Sequence, residues 1–327
     1  MTKLAIIGSG ISGISLASNL KSKLNIQIFE KSRGAGGRMS TRKTDLFEFD
    51  HGTQFFKIKT KEFRDFLSPL FLKKIIKHWQ CKLIEIQNKK IINEKLITID
   101  DEFFVGVPFM DSIVKSLSKN YNLTLNTEIC NIEKINKHWR LYDKNNKCYE
   151  KFDWVVFTIP SEQTCSLIPK NVSFYDIINQ IKMKSCYSLM IGKSKPLNLK
   201  FDIALIHDED IAWIAVNNSK PERNKKYSLL VNSSYDFAKK NSNQANDKVL
   251  DHMLSLTSKI LNKDLSDSIL TTLHQWRFVE AYKHPSEDYF IDPNLRIAVC
   301  GDWCVDSRVE GAFTSAYKLS QVLLEKI

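Results

Sequence analysis

The sequence predicts an α/β protein in which the two ends of the chain belong to one domain. Residues 3–30 combine a short apolar run, a glycine-rich loop, a segment with helical spacing and a second apolar run, which predicts a strand–helix–strand unit. Residues 295–326 add a buried strand and a closing helix. From Ser185 to Val231 the pattern is that of short strands, which indicates a second, sheet-rich domain inserted into the first.

The composition is that of a globular chain without a membrane span. The 327 residues suffice for two domains, and 43% of them are hydrophobic. The longest apolar run, Trp154 to Ile159, is far shorter than the roughly 20 residues that a membrane helix needs. Glycines interrupt the apolar N-terminus and no small-residue cleavage site follows, so we expect no signal peptide and a cytoplasmic protein.

The cysteines indicate the redox compartment of the protein, and the net charge limits the classes of partner that we expect. The seven cysteines form no C-x-x-C pair, which favours free thiols in a reducing compartment, with a redox pair of Cys300 and Cys304 as the alternative. The net charge of +11 comes from lysines spread along the chain without a nucleic-acid recognition motif. We therefore expect no nucleic-acid partner, no metal and no obligate protein partner. The basic surface suits an anionic small molecule.

Periodicity predicts the connecting elements. A helix is expected at 109–119, a single strand at 123–135, a helix at 161–168 and a helix at 247–261. The strands expected nearer the C-terminus lie at 211–216 and 270–277.

A glycine motif lies between the first predicted strand and helix, and it reads Gly8-Ser9-Gly10-Ile11-Ser12-Gly13. In such a motif the first glycine permits a tight turn, the second lets the backbone approach a pyrophosphate, and the third lets helix and strand pack closely. The helix N-terminus then offers unpaired N–H groups to the phosphates. Glu30 ends the second strand, where an acid can accept hydrogen bonds from ribose hydroxyls. The motif predicts a Rossmann-like dinucleotide site but leaves NAD and FAD both open.

The next loop separates the two cofactors. Glu30 is followed by five residues and then by Gly36-Gly37-Arg38, and here the chain resembles the large class of flavoproteins that includes amine oxidases and glutathione-reductase-like enzymes. The resemblance implies FAD, with the backbone and the arginine lying along the cofactor. The chain departs from the class once, because the usual glycine before the second strand is absent and the turn at 21–25 is one residue tight.

The C-terminus supports the same interpretation. The strand that begins at Leu295 ends in Gly301-Asp302, and residues 310–312 open the last helix. In the flavoprotein class this acid binds the ribitol or pyrophosphate region, and the helix N-terminus points at the pyrimidine edge of the flavin. A positive helix end there stabilises negative charge on the reduced flavin. A plain final strand and helix is the alternative.

Five stretches narrow the resemblance to the renalase-like bacterial flavoproteins. They are residues 31–42, 49–56, 213–221, 275–278 and 301–303, and they run in order from end to end. The resemblance implies the amine-oxidase/p-hydroxybenzoate-hydroxylase-like architecture, a Rossmann-like FAD-binding domain with an interleaved α+β substrate domain built on a mixed sheet. The expected FAD-binding domain comprises residues 1–60, 106–170 and 290–327, and the expected substrate domain comprises residues 61–105 and 171–289.

The renalase-like resemblance implies an oxidase. A hydride would pass from non-standard dihydro isomers of NAD(P) to flavin N5 and then to oxygen, giving NAD(P)+ and hydrogen peroxide. The ring nitrogen of a dihydropyridine donates electron density as the hydride leaves, so no proton must be abstracted first. We therefore expect the protein to position the substrate and tune the flavin rather than to supply a catalytic dyad. The motifs and the resemblance together assign the following residues to FAD: Gly8, Ser9, Gly10, Ile11, Ser12, Gly13, Glu30, Lys31, Gly36, Gly37, Arg38, Thr53, Gln54, Ile129, Gly301, Asp302, Val309, Glu310, Gly311 and Ala312.

Candidate substrate-side residues follow the Gly-Gly-Arg loop. His51 and Gln54 should approach the flavin ring and contact the flavin or the substrate, with a turn-stabilising role as the alternative for His51. Lys220 and Arg223, far along the chain, read as solvated loop charges.

Two predicted strands of the second domain supply further candidates. Trp213 and Asn217 either line the pocket or pack the sheet, and the same choice applies to Trp276 and Arg277. A guanidinium at Arg277 suits a phosphate or carboxamide, or it pairs with an acid such as Glu280.

Functions of other classes share the same fingerprint. An amine oxidase would need an aromatic-lined cage against the flavin, and a desaturase or isomerase of the same fold would form little peroxide. A flavin-binding sensor or scaffold would bind FAD that no dihydronicotinamide isomer reduces.

The cofactor is expected to be non-covalent. Cys300 and Cys304 flank Gly301-Asp302 and do not occupy the position that the amine-oxidase resemblance implies for a cysteine tether. Purified protein should be yellow and should lose all its flavin on denaturation, which filtration of the unfolded protein measures. Flavin absorbance retained with the unfolded chain would contradict this prediction.

Overall fold

The computed structural model describes residues 1–327 as twenty β-strands and eight α-helices. The strands are β1 (Lys3–Ile7), β2 (Asn25–Phe29), β3 (Arg42–Lys43), β4 (Glu48–Phe49), β5 (Ile76–His78), β6 (Cys81–Gln87), β7 (Lys90–Ile97), β8 (Phe104–Gly106), β9 (Asn122–Thr124), β10 (Ile129–Ile135), β11 (His138–Asp143), β12 (Cys148–Phe152), β13 (Trp154–Phe157), β14 (Cys186–Lys193), β15 (Ile203–Ile206), β16 (Ile211–Val216), β17 (Tyr227–Ser233), β18 (Leu270–Trp276), β19 (Tyr289–Asp292) and β20 (Ile297–Cys300). The helices are α1 (Ile11–Leu20), α2 (Lys61–Leu72), α3 (Ser112–Ser118), α4 (Ser161–Cys165), α5 (Tyr175–Asn179), α6 (Tyr235–Lys240), α7 (Asn246–Leu261) and α8 (Val309–Lys326).

A six-stranded sheet joins the two ends of the chain. Its order is β19-β20-β13-β1-β2-β9, parallel except for the edge strand β19. The central strand β1 pairs Ile6 with Ile28 on one side and with Val156 on the other. These strands are continuous apolar runs because helices and a small sheet cover both faces. The α/β class is confirmed, and the C-terminal strand β20 lies in the same sheet as β1.

Helices α1 and α8 pack side by side on this sheet. The Ser12 hydroxyl donates to the Ala312 carbonyl oxygen over 2.7 Å, which links the first turns of two helices at opposite ends of the chain. Apolar side chains from both helices, including Ile14 and Leu319, lie in the largest core cluster. The first turn of α1 is thereby fixed against the first turn of α8.

The second sheet has seven strands in the order β18-β14-β17-β16-β15-β6-β7. All neighbours are antiparallel except β15 and β6. Because side chains alternate along a strand, Leu189 and Ile191 of β14 pack with Met253 of α7, whereas Met190 packs with Phe47 of the first domain. One face of this sheet is therefore covered by helices, and the other faces the first domain.

A small sheet and a helix pack on the first sheet and its helices. Strands β10, β11 and β12 cover one face of the first sheet, where Trp139 donates its Nε1–H to the Leu295 carbonyl over 2.9 Å. Helix α2 packs on α8, with the rings of Phe63 and Phe313 5.1 Å apart. The sequence-based boundary assigns α2 to the second domain although it packs on the first, and the boundaries stay a prediction.

Some expected elements differ in extent. The single strand expected at 123–135 is the two strands β9 and β10, which lie in different sheets because the chain turns at Asn126 with φ of 53°. The helix expected at 161–168 ends at Cys165, and β15, β19, α5 and α6 had no sequence signal strong enough to predict them. None of the eight helices combines the length and apolar composition that a membrane crossing requires.

Candidate functional site

The glycine motif forms the tight connection between β1 and α1. Gly8 has φ of +105°, a conformation that L side chains rarely adopt, and its N–H donates to the Phe29 carbonyl over 2.8 Å. A Cβ added at Gly13 would lie 2.2 Å from the Gly8 carbonyl oxygen, so helix and strand approach too closely for a side chain. A Cβ at Gly10 would meet nothing within 4 Å. The second glycine thus faces open space.

The open space over Gly10 is lined by unpaired donors. Helix α1 has no side-chain cap, and its first backbone bond runs from Ile14 N–H to the Gly10 carbonyl. The N–H groups of Ile11, Ser12 and Gly13 therefore have no protein acceptor, as at any uncapped helix start. Free donors and the positive end of the helix dipole suit an anion, and the space over Gly10 admits one. This donor set fits the pyrophosphate of a dinucleotide.

Glu30 lies at the end of β2 and is buried. Its Oε2 accepts hydrogen bonds from the backbone N–H and hydroxyl of Ser9 over 3.0 and 2.8 Å. Its Oε1 accepts the Ser32 N–H over 2.8 Å. The Glu30 carbonyl accepts the Thr127 N–H over 2.9 Å, two residues before Ile129 begins β10. The acid is held in a fixed orientation beside the glycine motif, while the neighbouring Lys31 is exposed.

The Gly-Gly-Arg loop lies against the glycine motif. The Gly36 N–H donates to the Ser9 carbonyl over 3.2 Å, and a Cβ added at Gly37 would lie 3.4 Å from the Gly10 Cα. The two glycine loops therefore form one surface.

Arg38 joins the Gly-Gly-Arg loop to the C-terminal part of the site. Its guanidinium binds the Asp302 carboxylate through two parallel bonds of 2.8 and 2.5 Å and also donates to the Val279 carbonyl over 2.5 Å. The Arg38 carbonyl accepts the Thr53 N–H over 2.9 Å. Both charged groups were expected to lie along FAD, and the structure pairs them with each other. A bidentate pair of this kind fixes the geometry of both partners.

The start of helix α8 completes this region. Arg308, the residue before the helix, provides no side-chain cap, and a Cβ added at Gly311 would lie 2.0 Å from a carboxylate oxygen of Asp306. The Glu310 carboxylate accepts the N–H groups of Lys59 and Thr60, each over 2.7 Å. Glu310 therefore stabilises the start of α2, and the first turn of α8 lies beside that of α1.

Asp50 is the centre of a buried ion cluster just beyond the Gly-Gly-Arg loop. Its carboxylate accepts five hydrogen bonds, from Thr41 Oγ1 (2.7 Å), Met110 N–H (3.1 Å), Lys220 Nζ (3.2 Å), and Arg223 Nε and Nη2 (3.2 and 2.6 Å). The side chains of Asp50, Lys220 and Arg223 are 0%, 0% and 1% exposed. The prediction that Lys220 and Arg223 are solvated loop charges is wrong.

The cluster carries an excess of positive charge. Burial raises the pKa of Asp50, but Lys220 and Arg223 outweigh burial and lower it to about 2. Burial lowers the pKa of Lys220 to about 8, against the raising effect of Asp50. Arg223 lies closer to the carboxylate than Lys220 does, so Lys220 is the less compensated cation. Burial of one anion with two cations places a local positive charge beside the loop that carries His51 and Gln54.

Gln54 is fixed within this loop. Its Nε2 donates to the carbonyls of Asp50 and Gly52 over 2.5 and 2.9 Å, and its Oε1 accepts from Lys220 Nζ over 3.2 Å. Asn217 is also committed, because its Oδ1 accepts the Asp50 N–H over 3.1 Å and its Nδ2 donates to the Glu48 carbonyl over 2.8 Å. These two amides hold the loop in shape.

His51 faces the seven-stranded sheet. Its ring lies 5.0 Å from the ring of His274 and 5.1 Å from that of Trp276, and its carbonyl accepts the Trp276 Nε1–H over 2.9 Å. Burial, followed by His274 and Arg42, lowers the pKa of His51 to about 4, so the ring is neutral near pH 7. Arg42 Nη2 lies 3.5 Å from His274 Nδ1. His274 and Arg42 were absent from the predicted site, although Arg42 lies only nine residues before His51 and His274 only two before Trp276.

The remaining candidates differ in setting. Trp213 lies partly buried on the face of the second sheet that meets the first domain, with its ring 6.1 Å from that of Phe55, and its buried Nε1–H has no partner. Arg277 is exposed and forms no ion pair, because Glu280 pairs with Lys184 over 2.5 Å. The structure therefore brings His51, Gln54, Trp213 and Trp276 to one interdomain region and leaves Arg277 at its edge.

The cysteines form no redox pair. All seven are free, and Cys300 and Cys304 are buried. Burial raises the pKa of Cys300 to about 12, so its thiol is protonated and unreactive at neutral pH.

Comparison with known proteins identifies the N-terminal segment. Residues 6–70 match the model of the NAD(P)-binding Rossmann-like domain. A 51-residue stretch, 15% of the chain, is 43% identical to 4,4'-diapophytoene desaturase (4,4'-diaponeurosporene-forming) of Staphylococcus aureus strain Newman. The match covers only 10% of that enzyme's length. Sequence similarity is thus confined to the dinucleotide-binding segment.

Comparison with solved structures extends to the whole chain. A putative protoporphyrinogen oxidase from Exiguobacterium sp. 255-15 superposes with a TM-score of 0.81 at 11% identity, over 99% of both chains. Putrescine oxidase bound to putrescine superposes with a TM-score of 0.73 at 11% identity, over 99% of both chains. Cyclohexylamine oxidase from Brevibacterium oxydans IH-35A gives 0.73 at 10% identity, also over 99% of both. The chain shares the fold of these three oxidases. At these identities the likeness establishes the fold alone.

Two glycine substitutions separate binding from folding. Gly10→Ala should leave the stability of the apoprotein unchanged, because the new methyl group meets no protein atom. The same methyl group fills the space over the free N–H groups, so FAD binding should weaken by more than about tenfold, or ~1.4 kcal/mol. Gly13→Ala should instead destabilise the fold. Titration of apoprotein with FAD and urea unfolding measure the two effects. Wild-type FAD affinity in Gly10→Ala would exclude a phosphate site at this loop.

Removal of the Asp50 charge should be costly. Asp50→Asn leaves two buried cations without their anion, so we expect a loss of about 3–5 kcal/mol in the free energy of unfolding. The matched control is Asp65→Asn, which breaks the exposed Lys61–Asp65 pair and should cost far less stability. Urea unfolding of both variants checks the difference, and equal small losses would contradict the role of the cluster.

His51 should make the fold sensitive to mild acid. Its pKa is about 4 in the folded state and 6.5 ordinarily, so the unfolded chain binds the proton first as the pH falls. Stability should therefore decrease between about pH 6.5 and 4, by at most about 3 kcal/mol from this group. Asp50 contributes its own loss only below its ordinary pKa of 3.8. His51→Gln should flatten the first interval, as urea unfolding at several pH values can test, and an unchanged pH profile would count against a buried neutral His51.

Proposed function

We propose that this chain is a FAD-dependent oxidase that takes a hydride from non-standard dihydro isomers of NAD(P) and passes it to oxygen. The products are NAD(P)+ and hydrogen peroxide. The fold, the two-part glycine surface and the resemblance of five stretches to renalase-like flavoproteins support the proposal. The seven free cysteines favour a reducing compartment, the cytoplasm.

One observation carries the proposal. Beside the surface that suits a pyrophosphate lies a wall of aromatic, amide and imidazole groups, in which the pKa of His51 is too low for an efficient general base near pH 7. His51 has a lowered pKa, Trp276 donates to the His51 carbonyl, and Gln54 is held by three hydrogen bonds. A reaction that needs a proton abstracted would require a base here, whereas hydride transfer from a dihydropyridine does not.

The chain's own residues bind and position. The free N–H groups at the start of α1 would hold the pyrophosphate of FAD, and Glu30 would accept from the ribose hydroxyls. Bound FAD supplies the hydride-accepting chemistry. The positive charge of the Asp50 cluster and the first turn of α8 favour negative charge in this region.

Oxidation of a small amine is the second candidate. The likeness in fold to putrescine oxidase and cyclohexylamine oxidase favours it, as do the aromatic rings of Trp213, Phe55 and Trp276 at the domain interface. A non-catalytic FAD-binding protein is the third, because the dinucleotide surface alone would serve it.

Anaerobic stopped-flow mixing distinguishes these functions. Isomeric dihydronicotinamide dinucleotides from borohydride-treated NAD(P) should bleach the flavin absorbance rapidly, standard NADH should do so at least about tenfold more slowly, and aerobic turnover should yield one peroxide for each dinucleotide oxidised. Putrescine and cyclohexylamine serve as the amine controls.

Other outcomes would point to the other functions. Fast reduction by an amine with slow reduction by every isomer would replace the proposal with an amine oxidase. Bound FAD that neither class reduces would indicate a binding protein.

A further inference from the structure

The β3–β4 hairpin directs one arginine toward the second domain. Its register pairs Arg42 with Phe49 and Lys43 with Glu48. Directly paired residues share a face and successive residues alternate, so Arg42 lies on the face of Phe49, and Lys43 and Glu48 lie on the other. Phe49 is fully buried and packs with Met190 of the seven-stranded sheet. Arg42 therefore faces the interdomain region where the candidate site lies.

Arg42 has no carboxylate partner. It is half-buried, and the only hydrogen-bond partner of its side chain in the protein is Nδ1 of His274, 3.5 Å from Nη2. A guanidinium carries five N–H donors and no acceptor, so most of the Arg42 donors have no partner in the protein. The guanidinium of Arg38, in contrast, is bound to Asp302 through two parallel hydrogen bonds. Arg42 is thus a partly buried cation whose hydrogen-bonding capacity is largely unused.

The groups around Arg42 supply no free negative charge. Burial and then Arg42 lower the pKa of His274, and no acid opposes that shift. Burial, His274 and Arg42 lower the pKa of His51, and the only acid acting on that ring is Asp50, which is already paired with two buried cations. Both imidazoles are therefore uncharged near pH 7. Partial burial of an unpaired cation costs free energy, which a bound anion restores.

The position of Arg42 suits the proposed substrate. Arg42 Nη2 lies 3.5 Å from His274 Nδ1, and the His274 ring lies 5.0 Å from the ring of His51, which is expected to approach the flavin. One side chain thus separates Arg42 from His51, as one ribose separates the first phosphate of a nicotinamide dinucleotide from its reactive ring. A planar guanidinium binds two phosphate oxygens at once.

We infer that Arg42 determines substrate specificity by binding the phosphate next to the nicotinamide ribose. The inference rests on the proposed function and names the substrate group that this part of the site recognises. Arg42 contributes binding and takes no part in hydride transfer. Its charge selects a dinucleotide against a small protonated amine, because the amine would bring a like charge to an unpaired cation.

A binding comparison on the oxidised holoenzyme tests this contact. The ligands are nicotinamide mononucleotide and nicotinamide riboside, which differ only in the phosphate, and the change in the flavin spectrum reports binding without turnover. The wild-type protein should bind the mononucleotide about 10- to 100-fold more tightly. Arg42→Met should abolish this preference by weakening mononucleotide binding, whereas riboside binding should not weaken.

Further variants keep the test interpretable. Arg42→Gln keeps a polar side chain without the charge and should also lose the preference, even if Arg42→Met does not fold. Arg42→Lys keeps a charge without the planar fork and should show an intermediate preference, which a merely structural role would not produce. Arg140→Met is the matched control. Arg140 is a partly exposed arginine of β11 that pairs with Glu150 outside the interdomain region, so this variant should keep the full preference.

Arg277 is the competing candidate for the phosphate. It is exposed at the edge of the same region and forms no ion pair. Arg277→Met should keep the preference for the mononucleotide. Loss of the preference in Arg277→Met, with retention in Arg42→Gln, would assign the phosphate to Arg277 and overturn the inference.

The remaining outcomes separate this inference from the proposed function. Equal binding of both ligands by the wild type, failure of the wild type to bind either, or a wild-type preference retained in Arg42→Gln, overturns the phosphate contact. Failure of every dihydronicotinamide isomer to reduce the flavin overturns the proposed function. A flavin reduced by the isomers together with an unaltered preference in Arg42→Gln would leave the function standing and the Arg42 contact refuted.

Discussion

The buried carboxylate of Asp50 is the interaction on which the site depends. It lies one residue beyond β4 and binds groups from three separate parts of the chain: the Gly-Gly-Arg loop side through Thr41, the start of α3 through Met110, and the second domain through Lys220 and Arg223. A buried ion cluster of this kind contributes little net stability, but breaking it is expensive. Its effect is to fix one geometry, in which the His51 loop meets the second sheet.

The dinucleotide region depends in the same way on contacts between the chain ends. Ser12 binds the Ala312 carbonyl, and Arg38 binds Asp302, so that elements about 300 and 260 residues apart define one surface. Neither helix N-terminus is capped by its own residue. The free N–H donors at these helix starts have no acceptor within the protein, so their lost hydrogen bonds cost free energy. For this reason we interpret the surface as a binding site rather than as a packing contact.

The interdomain wall shows how burial sets chemistry. His51 would titrate near neutral pH in water, but its burial beside His274 and Arg42 keeps the ring uncharged. Burial likewise lowers the pKa of Lys220 to about 8, although its partner Asp50 is ionised. Uncharged groups next to a local positive charge favour a ligand with carbonyl and phosphate oxygens over a cationic ligand. This preference favours the proposed dinucleotide oxidase over an amine oxidase.

The sequence by itself determined the strand–helix–strand unit, its glycine motif and the last strand and helix. These elements depend on local periodicity and on a backbone geometry that only glycine permits at Gly8 and Gly13. Helix α7 and strand β16 were predictable for the same reason. Tertiary structure alone decided that Lys220 and Arg223 are buried partners of Asp50, that β9 and β10 belong to different sheets, and that Asn232 lies beside Trp213. Those facts follow from strand register and from charge neutralisation between segments about 20 to 170 residues apart, and no local pattern encodes either.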